Sequence, residues 1–203
     1  MSTAVVIPMK PFALAKSRMA AAMTPPQRQR LVRALFLRTQ RFFATQFPRM
    51  DRVVVTPCPA VQALCARVGA TAILEPGLDG LDAAAARARG WATERGYGRM
   101  LLVPGDIPVW TRREVHALLA AGAAHEVVVA RARDGGTNAL LLALPNRMPF
   151  RYGPQSAARH AQAAADAGHS VAVCRLPFLA HDLDVPGDCL VLSADRRLPQ
   201  VAP

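Results

Sequence analysis

Short apolar runs alternate with longer amphipathic stretches along most of the chain. The apolar runs are rich in Val and Leu and predict strands at residues 4–8, 52–56, 71–74, 100–103, 127–130, 139–144 and 171–174. The amphipathic stretches repeat apolar residues every three or four positions and predict helices at residues 25–45, 60–68, 81–95, 112–121 and 154–167. This alternation predicts an α/β domain whose largely parallel sheet is covered by helices on both faces.

One pair of predicted strands lies too close together for a helical crossover. Few residues separate 127–130 from 139–144, so this pair predicts a local antiparallel element in an otherwise parallel sheet. No Gly/Ser-rich linker and no internal repeat interrupts the sequence. We therefore expect residues 1–203 to form one three-layer domain with a mostly parallel, mixed sheet.

The chain is strongly basic, with 25 Lys+Arg against 14 Asp+Glu and a formal net charge of +11. All but two of the basic residues, Lys10 and Lys16, are arginines. The predicted helix at 25–45 shows where they lie. Its apolar face carries Leu31, Val32, Leu35, Phe36, Phe42 and Phe43, and its opposite face carries Arg30, Arg33, Arg38 and Arg41. No aromatic residue interleaves with these arginines as in a nucleic-acid stacking platform, so we expect no nucleic-acid partner; a basic nucleic-acid-binding domain stays the alternative from another class.

Other features of the sequence concern the cellular compartment of the protein. No apolar run is long enough to span a membrane, and no signal peptide is visible. The four cysteines show no C-x-x-C spacing, which favours reduced, mostly buried thiols over a disulfide framework or a zinc site. These features predict a cytoplasmic protein without a membrane partner.

The loop after the first predicted strand contains both lysines of the chain. Lys10, Lys16 and Arg18 lie within nine residues of each other, and in open α/β sheets ligands bind at the carboxyl ends of the strands. Three clustered cations suit a triphosphate, although the loop lacks the glycine pattern of a Walker A motif. The alternative is a solvated basic turn.

A second loop places one carboxylate between two prolines. Pro104-Gly105-Asp106-Ile107-Pro108 follows a predicted strand, and its prolines stiffen the backbone around Asp106. Mg²⁺ in phosphate chemistry prefers one or two carboxylates with phosphate and water oxygens, so Asp106 is a candidate magnesium ligand. The alternative is an ordinary turn or helix-capping residue.

Two further regions carry candidate ligand-binding residues. One combines glycines with hydroxyl side chains, and the other contains a pair of aspartates. Segments 134–138 and 152–156 combine glycines with Thr137 and with Ser156, which falls in the first turn of a predicted helix, and this combination suits a small phosphate. Asp182 and Asp184 stand two residues apart on one side of an extended segment, before Pro186 opens a predicted final helix. Ordinary turns and a capping acidic turn are the alternatives.

Taken in order, these segments resemble the guanylyltransferase family of coenzyme F420 biosynthesis over essentially the whole chain. The segments that carry the resemblance are VIPMKP (6–11), AKSR (15–18), PGDIP (104–108), GTNALL (136–141), YGP (152–154) with Ser156 and His160, and DLDVP (182–186). The resemblance implies a single nucleotidyltransferase domain of Rossmann type, similar to GT-A glycosyltransferases. It also implies transfer of GMP from GTP to a small phosphorylated acid, with release of pyrophosphate.

The resemblance also implies roles for individual residues. Lys10, Lys16, Arg18 and Asp106 would carry catalysis; Asp106, Asp184 and Asp182 would hold Mg²⁺; Thr137, Gly153, Ser156, Gly136 and Asn138 would bind the acid; Gly80 and Asp82, with both lysines, would bind the nucleotide. The acid stays open among 3-phospho-D-glycerate, phosphoenolpyruvate and 2-phospho-L-lactate, and a homodimer is a family-level expectation. Asp82 stands where the family has Asn, which keeps another sugar-phosphate or molybdopterin-type nucleotidyltransferase as the alternative.

Overall fold

The computed structural model describes residues 2–183, which form a seven-stranded sheet with helices on both faces. The strands are β1 (Thr3–Pro8), β2 (Asp51–Thr56), β3 (Thr71–Leu74), β4 (Arg99–Leu102), β5 (Val127–Arg131), β6 (Thr137–Ala143) and β7 (Val171–Cys174). The helices are α1 (Pro25–Gln46), α2 (Pro59–Val68), α3 (Leu81–Glu94), α4 (Arg112–Ala124) and α5 (Ser156–Asp166). The predicted α/β class is confirmed, and each of the seven predicted strands and of the five helices predicted between residues 25 and 167 has its counterpart here.

The strand order is β3-β2-β1-β4-β6-β5-β7. Only β6 is antiparallel to its neighbours β4 and β5, and every other pairing in this sheet is parallel. The short connection between β5 and β6 therefore makes the predicted antiparallel element. Because β6 runs the opposite way, it begins at the edge of the sheet where β1, β3 and β4 end.

Alternate residues of the central strand feed two separate cores. Val5 and Ile7 pack with α1, α2 and α4 on one face of the sheet, whereas Ala4 and Val6 pack with α3 and α5 on the other. The second face is filled largely by alanines of α3 and α5, which let these helices approach the sheet closely. A strand that is buried on both faces has to be apolar throughout, which explains the short apolar runs of the sequence.

Helix α1 has the two faces that its sequence predicts. Val32, Leu35 and Phe36 are buried, while Arg30 and Arg33 are exposed. No helix within residues 2–183 is both long enough and apolar enough to cross a membrane. Asp184 and the predicted final helix from Pro186 lie outside the described residues.

Candidate active site

A cleft of about 480 Å³ opens at the edge of the sheet where the parallel strands end. It brings together residues that lie far apart in the sequence. Lys10 follows β1, Glu75 follows β3, Asp106 follows β4, Thr137 begins β6, and Tyr152 precedes α5; all five line the cleft. Three of the four segments that the sequence singled out thus contribute residues to one cavity.

An ion pair between a buried lysine and the cleft residue Asp106 joins the first two of these segments. The Lys16 ammonium donates a hydrogen bond of 2.6 Å from Nζ to Oδ2 of Asp106. The Lys16 side chain is 3% exposed and the Asp106 side chain 29% exposed. The lysine is thus fixed behind the carboxylate, which keeps part of its surface open to a ligand.

The loop that carries Lys16 has an unusual backbone. Lys16 adopts the left-handed conformation, with φ 57° and ψ 38°, which costs a residue with a side chain about 1–2 kcal/mol. The loop holds it there by packing: Ala15 and Met19 are buried, and the ring of Phe12 lies 5.7 Å from that of Phe36. A conformation of this cost persists where the surroundings fix it, which is common at functional sites.

The other two cations of this region are exposed. Lys10 lines the cleft at the end of β1, and Arg18 lies in the short 3₁₀ turn Ser17–Met19 that follows Lys16. The structure therefore separates one buried ammonium, at Lys16, from two exposed charges nearby.

The Asp106 loop is fixed on both sides of the carboxylate. Val103 donates from its backbone N–H to the Val6 carbonyl at 2.9 Å, and Ile107 is fully buried. Between them Gly105 passes close to the core, since an added Cβ would come within 3.0 Å of the Met9 sulfur. Asp106 is thus presented to the cleft by a backbone with little room to shift.

The donor set suits an ion that is shared with a phosphate. No group of three or more His, Cys, Asp or Glu side chains within residues 2–183 could enclose a metal. Mg²⁺ takes one or two carboxylates and completes its shell with phosphate and water oxygens, so a single partly exposed Asp106 beside a cation-lined cleft fits it. Asp184 lies outside the described residues.

The chain leading to Asp182 is held firmly against the body of the protein. The backbone N–H groups of Phe178 and Leu179 donate to the two carboxylate oxygens of Glu114, at 2.8 and 2.9 Å. The Leu179 carbonyl accepts a 2.8 Å bond from the side-chain amide of Asn138, which is buried. This places Asn138, a predicted acid-binding residue, in a contact that supports the Asp182 segment.

A chain of hydrogen bonds lies behind Thr137. Ser156 Oγ lies 3.1 Å and His160 Nδ1 lies 3.0 Å from the Thr137 hydroxyl oxygen, and the Arg151 backbone N–H donates to His160 Nε2 at 2.9 Å. Because Nε2 accepts, we assign the proton of the neutral imidazole to Nδ1, which donates to Thr137. Ser156 Oγ donates its proton to the Thr137 oxygen. The Thr137 hydroxyl, which accepts from both Ser156 and His160, therefore keeps its own proton to donate to a ligand.

The turns around Ser156 use their own backbone donors. The N–H groups of Ser156 and Ala157, at the start of α5, donate to the carbonyls of Gly153 and Gly135, both at 3.1 Å. Gly153 has φ +109°, a conformation that favours glycine, and the Gly136 N–H donates to Asp134 Oδ1 at 2.7 Å. The donors that remain for an anion at this end of the cleft are therefore the hydroxyls rather than these amides.

The predicted nucleotide-binding pair lies at the start of α3. Gly80 lines the cleft and precedes the helix with φ +91°, while Asp82 is exposed and accepts a 2.8 Å bond from the Tyr152 backbone N–H. Asp82 therefore connects α3 to the segment that carries Tyr152.

The sequence analysis missed an ionisable residue of the cleft, Glu75. Its Oε2 is buried and has no hydrogen-bond partner among the described residues, and burial raises the pKa of the Glu75 carboxyl. Its position directly after β3 was the signal that could have revealed it, since β1 and β4 place cleft residues in the same way.

The buried His160 predicts a pH-dependent stability. Burial lowers its pKa from 6.5 to about 4, so at neutral pH it is uncharged in the folded protein. As the pH falls below 6.5 the unfolded chain takes up a proton that the folded chain does not, and we expect a loss of about 2 kcal/mol of unfolding free energy by pH 5. Urea denaturation at pH 5 and 7.5 measures it. His160→Gln should remove this part of the slope and exposed His116→Gln should not; equal slopes in all three proteins would contradict the assignment.

Comparisons with known proteins agree with this geometry. The family described as guanylyl transferase CofC like matches residues 3–193. The 3-phospho-D-glycerate guanylyltransferase of Colwellia psychrerythraea is 36% identical over 95% of this chain and 92% of its own length. The phosphoenolpyruvate guanylyltransferase of Rubrobacter xylanophilus is 38% identical over 96% of this chain and 95% of its own.

The fold also matches solved structures at low identity. The 4-diphosphocytidyl-2C-methyl-D-erythritol synthase of Anaerococcus prevotii superposes with a TM-score of 0.61 at 10% identity, covering 95% of this chain and 97% of that chain. At this identity the likeness concerns the fold alone, and it confirms the predicted nucleotidyltransferase architecture.

Proposed function

The chain belongs to the CofC-like guanylyl transferase family, and we propose that it joins GMP from GTP to the phosphate of phosphoenolpyruvate or 3-phospho-D-glycerate in coenzyme F420 biosynthesis. The observation that carries this proposal is the shared cleft, which Lys10, Asp106 and Thr137 line from the neighbouring strands β1, β4 and β6, with Lys16 paired to Asp106. Pyrophosphate is the second product.

The acceptor brings its own nucleophile to this reaction. A phosphate monoester is largely dianionic near pH 7, so its oxygen attacks the α-phosphorus of GTP without a strong general base. The cleft then has two tasks, which are to hold two polyanions in line and to offset their charge. Lys16 and Lys10 offset the charge of the substrates, and Arg18 extends the positive surface toward the departing pyrophosphate.

Asp106 is the residue that we propose to hold Mg²⁺, with Asp182 and Asp184 as further ligands. When bound, the ion supplies positive charge to the phosphate oxygens and lowers the repulsion between the substrates. Lys16 orients the Asp106 carboxylate by its 2.6 Å hydrogen bond, and the packing of Ile107 fixes the loop.

Thr137 presents the acid with the one hydroxyl proton left over from the Ser156–Thr137–His160 chain. We expect Thr137→Val to raise the KM for the acid about tenfold or more, while the KM for GTP changes little, because it removes the donor on the cleft surface. Ser156→Ala should have a smaller effect, since Thr137 can still accept from His160 and donate to the ligand. Steady-state kinetics with either substrate varied will measure both, with exposed Thr45→Val as the control; a larger rise in the KM for GTP would reassign this end of the cleft.

The proposed reaction is tested by incubating the protein with GTP, Mg²⁺ and each of phosphoenolpyruvate, 3-phospho-D-glycerate and 2-phospho-L-lactate. Mass spectrometry resolves the guanylylated product of each acid. One acid should give a kcat/KM well above the other two, and the absence of a guanylylated product with all three would refute the proposal.

Two family-level expectations also remain as proposals. A homodimer would be detected by light scattering of the purified protein, and a cytoplasmic location by fractionation of the source cells.

A further inference from the structure

The cleft has an end that the phosphate chemistry does not use. Glu75 lies there beside Leu78 and Leu81, which are 58% and 43% exposed although they line a cavity. Large apolar side chains that are open to water in a cleft mark a surface that a ligand covers. A flat, partly apolar group is thus expected to lie against this end.

The sheet places this end at one side of the phosphate-binding residues. Glu75 follows β3, the edge strand, while Lys10 follows β1, two strands further along. At about 4.8 Å per strand, roughly 10 Å separates the ends of β3 and β1. Thr137 begins β6, on the other side of Asp106, so the phosphates lie between an acid end at Thr137 and a base end at Glu75.

Glu75 also has a buried carboxylate oxygen without a hydrogen-bond donor among the described residues. A carboxylate only accepts hydrogen bonds, and a buried acceptor without a partner destabilises the protein unless a ligand supplies the donor. Oε2 of Glu75 is buried in this way, and the raised pKa of the carboxyl reports the same loss of solvent. The neighbouring acids do not share its position: Asp82 already accepts the Tyr152 N–H, and Asp79 is exposed.

We propose that Glu75 selects guanine, by accepting hydrogen bonds from N1–H and the 2-amino group of the base. Guanine presents these two donors side by side. Adenine has an unprotonated N1, whose lone pair would be repelled by the carboxylate oxygen. The inference deepens the proposed function and rests on it, because it assigns the nucleobase end of the same cleft. It adds Glu75 to Gly80 and Asp82, which the resemblance implies for nucleotide binding.

The test compares GTP with ITP, which lacks only the 2-amino group. In the wild-type protein we expect kcat/KM for GTP to exceed that for ITP about tenfold or more, since one oxygen of Glu75 loses its donor with ITP. Glu75→Gln should lower kcat/KM for GTP about tenfold or more and bring the GTP/ITP ratio to within about threefold of one. The KM for the acid should not change.

Asp79→Asn is the matched control, because it removes a negative charge that acts on Glu75, and that helps to raise its pKa, while the Glu75 carboxylate itself stays in place. It should retain the wild-type ratio. Glu75→Met is a second variant, which keeps the length of the side chain and should lose the ratio as well. Melting temperatures without ligand establish that each variant folds, and melting shifts with GTP and with ITP measure selectivity without turnover.

The outcomes separate this inference from the proposed function. A GTP/ITP ratio that survives in Glu75→Gln, or a wild-type protein that turns over both nucleotides equally, overturns the role of Glu75 and leaves the guanylyl transfer intact. A wild-type protein that forms no guanylylated acid overturns the proposed function. In that case a melting shift with GTP that exceeds the shift with ITP, and that Glu75→Gln removes, still supports the assignment of Glu75.

Discussion

Replacing Asp106 by Asn is expected to lower kcat by about 10²- to 10³-fold while the protein stays folded. The substitution keeps the size of the side chain and an oxygen that can accept from Lys16 Nζ, but it removes the negative charge that would hold Mg²⁺. A metal ion stabilises the charge of a phosphoryl transition state by several kcal/mol, and each 1.36 kcal/mol corresponds to a factor of ten. The loss should appear in kcat more than in the KM for GTP, because the charge is needed most in the transition state.

The expected stability of Asp106→Asn follows from the burial of the two side chains of the ion pair. The Asp106 side chain is 29% exposed, so the neutral amide itself is not forced into a dry site, but the Lys16 ammonium, which is 3% exposed, loses its counter-ion. We therefore expect a folded protein with a lowered melting temperature. Exposed Asp166→Asn on α5 serves as the control for loss of one carboxylate and should leave kcat unchanged. Unchanged turnover of Asp106→Asn at saturating Mg²⁺ would refute the metal role of this residue.

The sequence was sufficient to predict the strands and their mostly parallel arrangement, though not their order in the sheet, because the strands are buried on two faces. Val5 and Ile7 belong to one core and Ala4 and Val6 to the other, so β1 could be recognised as an unbroken apolar run. The short connection between β5 and β6 predicted their antiparallel pairing for an equally local reason. Loops at the carboxyl ends of strands then gave the correct place to search for the cleft.

The geometry within the cleft was beyond the reach of local patterns. Ninety positions separate Lys16 from Asp106, and their 2.6 Å contact depends on how β1 and β4 pair. The left-handed backbone of Lys16 leaves no trace in the sequence either, since glycine is the usual signal for it. Glu75 went unnoticed because the importance of its carboxylate comes from burial without a partner, which only the packed structure shows.

The two kinds of basic residue in this chain have different physical roles. Arginines such as Arg30 and Arg33 lie exposed on a helix face, where they give the protein a positive background that attracts small polyanions. Lys16 is instead buried, and its compact charge lies where solvent cannot screen it. The net charge of +11 thus counts exposed arginines and one buried ammonium alike, and it is the buried ammonium for which we propose a role in the reaction.

Lys16→Met is expected to lower kcat about 100-fold or more, the second large effect. Methionine keeps an unbranched stem of similar length in the buried space but removes the ammonium that bonds to Asp106 and that we propose to offset the phosphate charge. A fixed charge in a water-poor site contributes several kcal/mol to a transition state that spreads negative charge. Lys10→Met makes the same change at an exposed position of the same loop and should have a smaller effect, seen chiefly in the KM for GTP. Steady-state kinetics of both variants measure the two effects, and melting curves establish that both variants fold. Equal losses of kcat would contradict the larger role of Lys16.

Lys16→Gly separates the backbone of this residue from its side chain. Glycine relieves about 1–2 kcal/mol of left-handed strain, because it has no Cβ. It also gives up the burial of four methylenes, at about 0.8 kcal/mol each, since the Lys16 side chain is only 3% exposed. The lost burial, about 3 kcal/mol, exceeds the relieved strain, so Lys16→Gly should unfold at lower urea concentration than Lys16→Met although both lose activity alike. The reverse order of stability would show that the strain outweighs the packing of the stem, and that the ammonium alone keeps a lysine at a position where glycine would fit better.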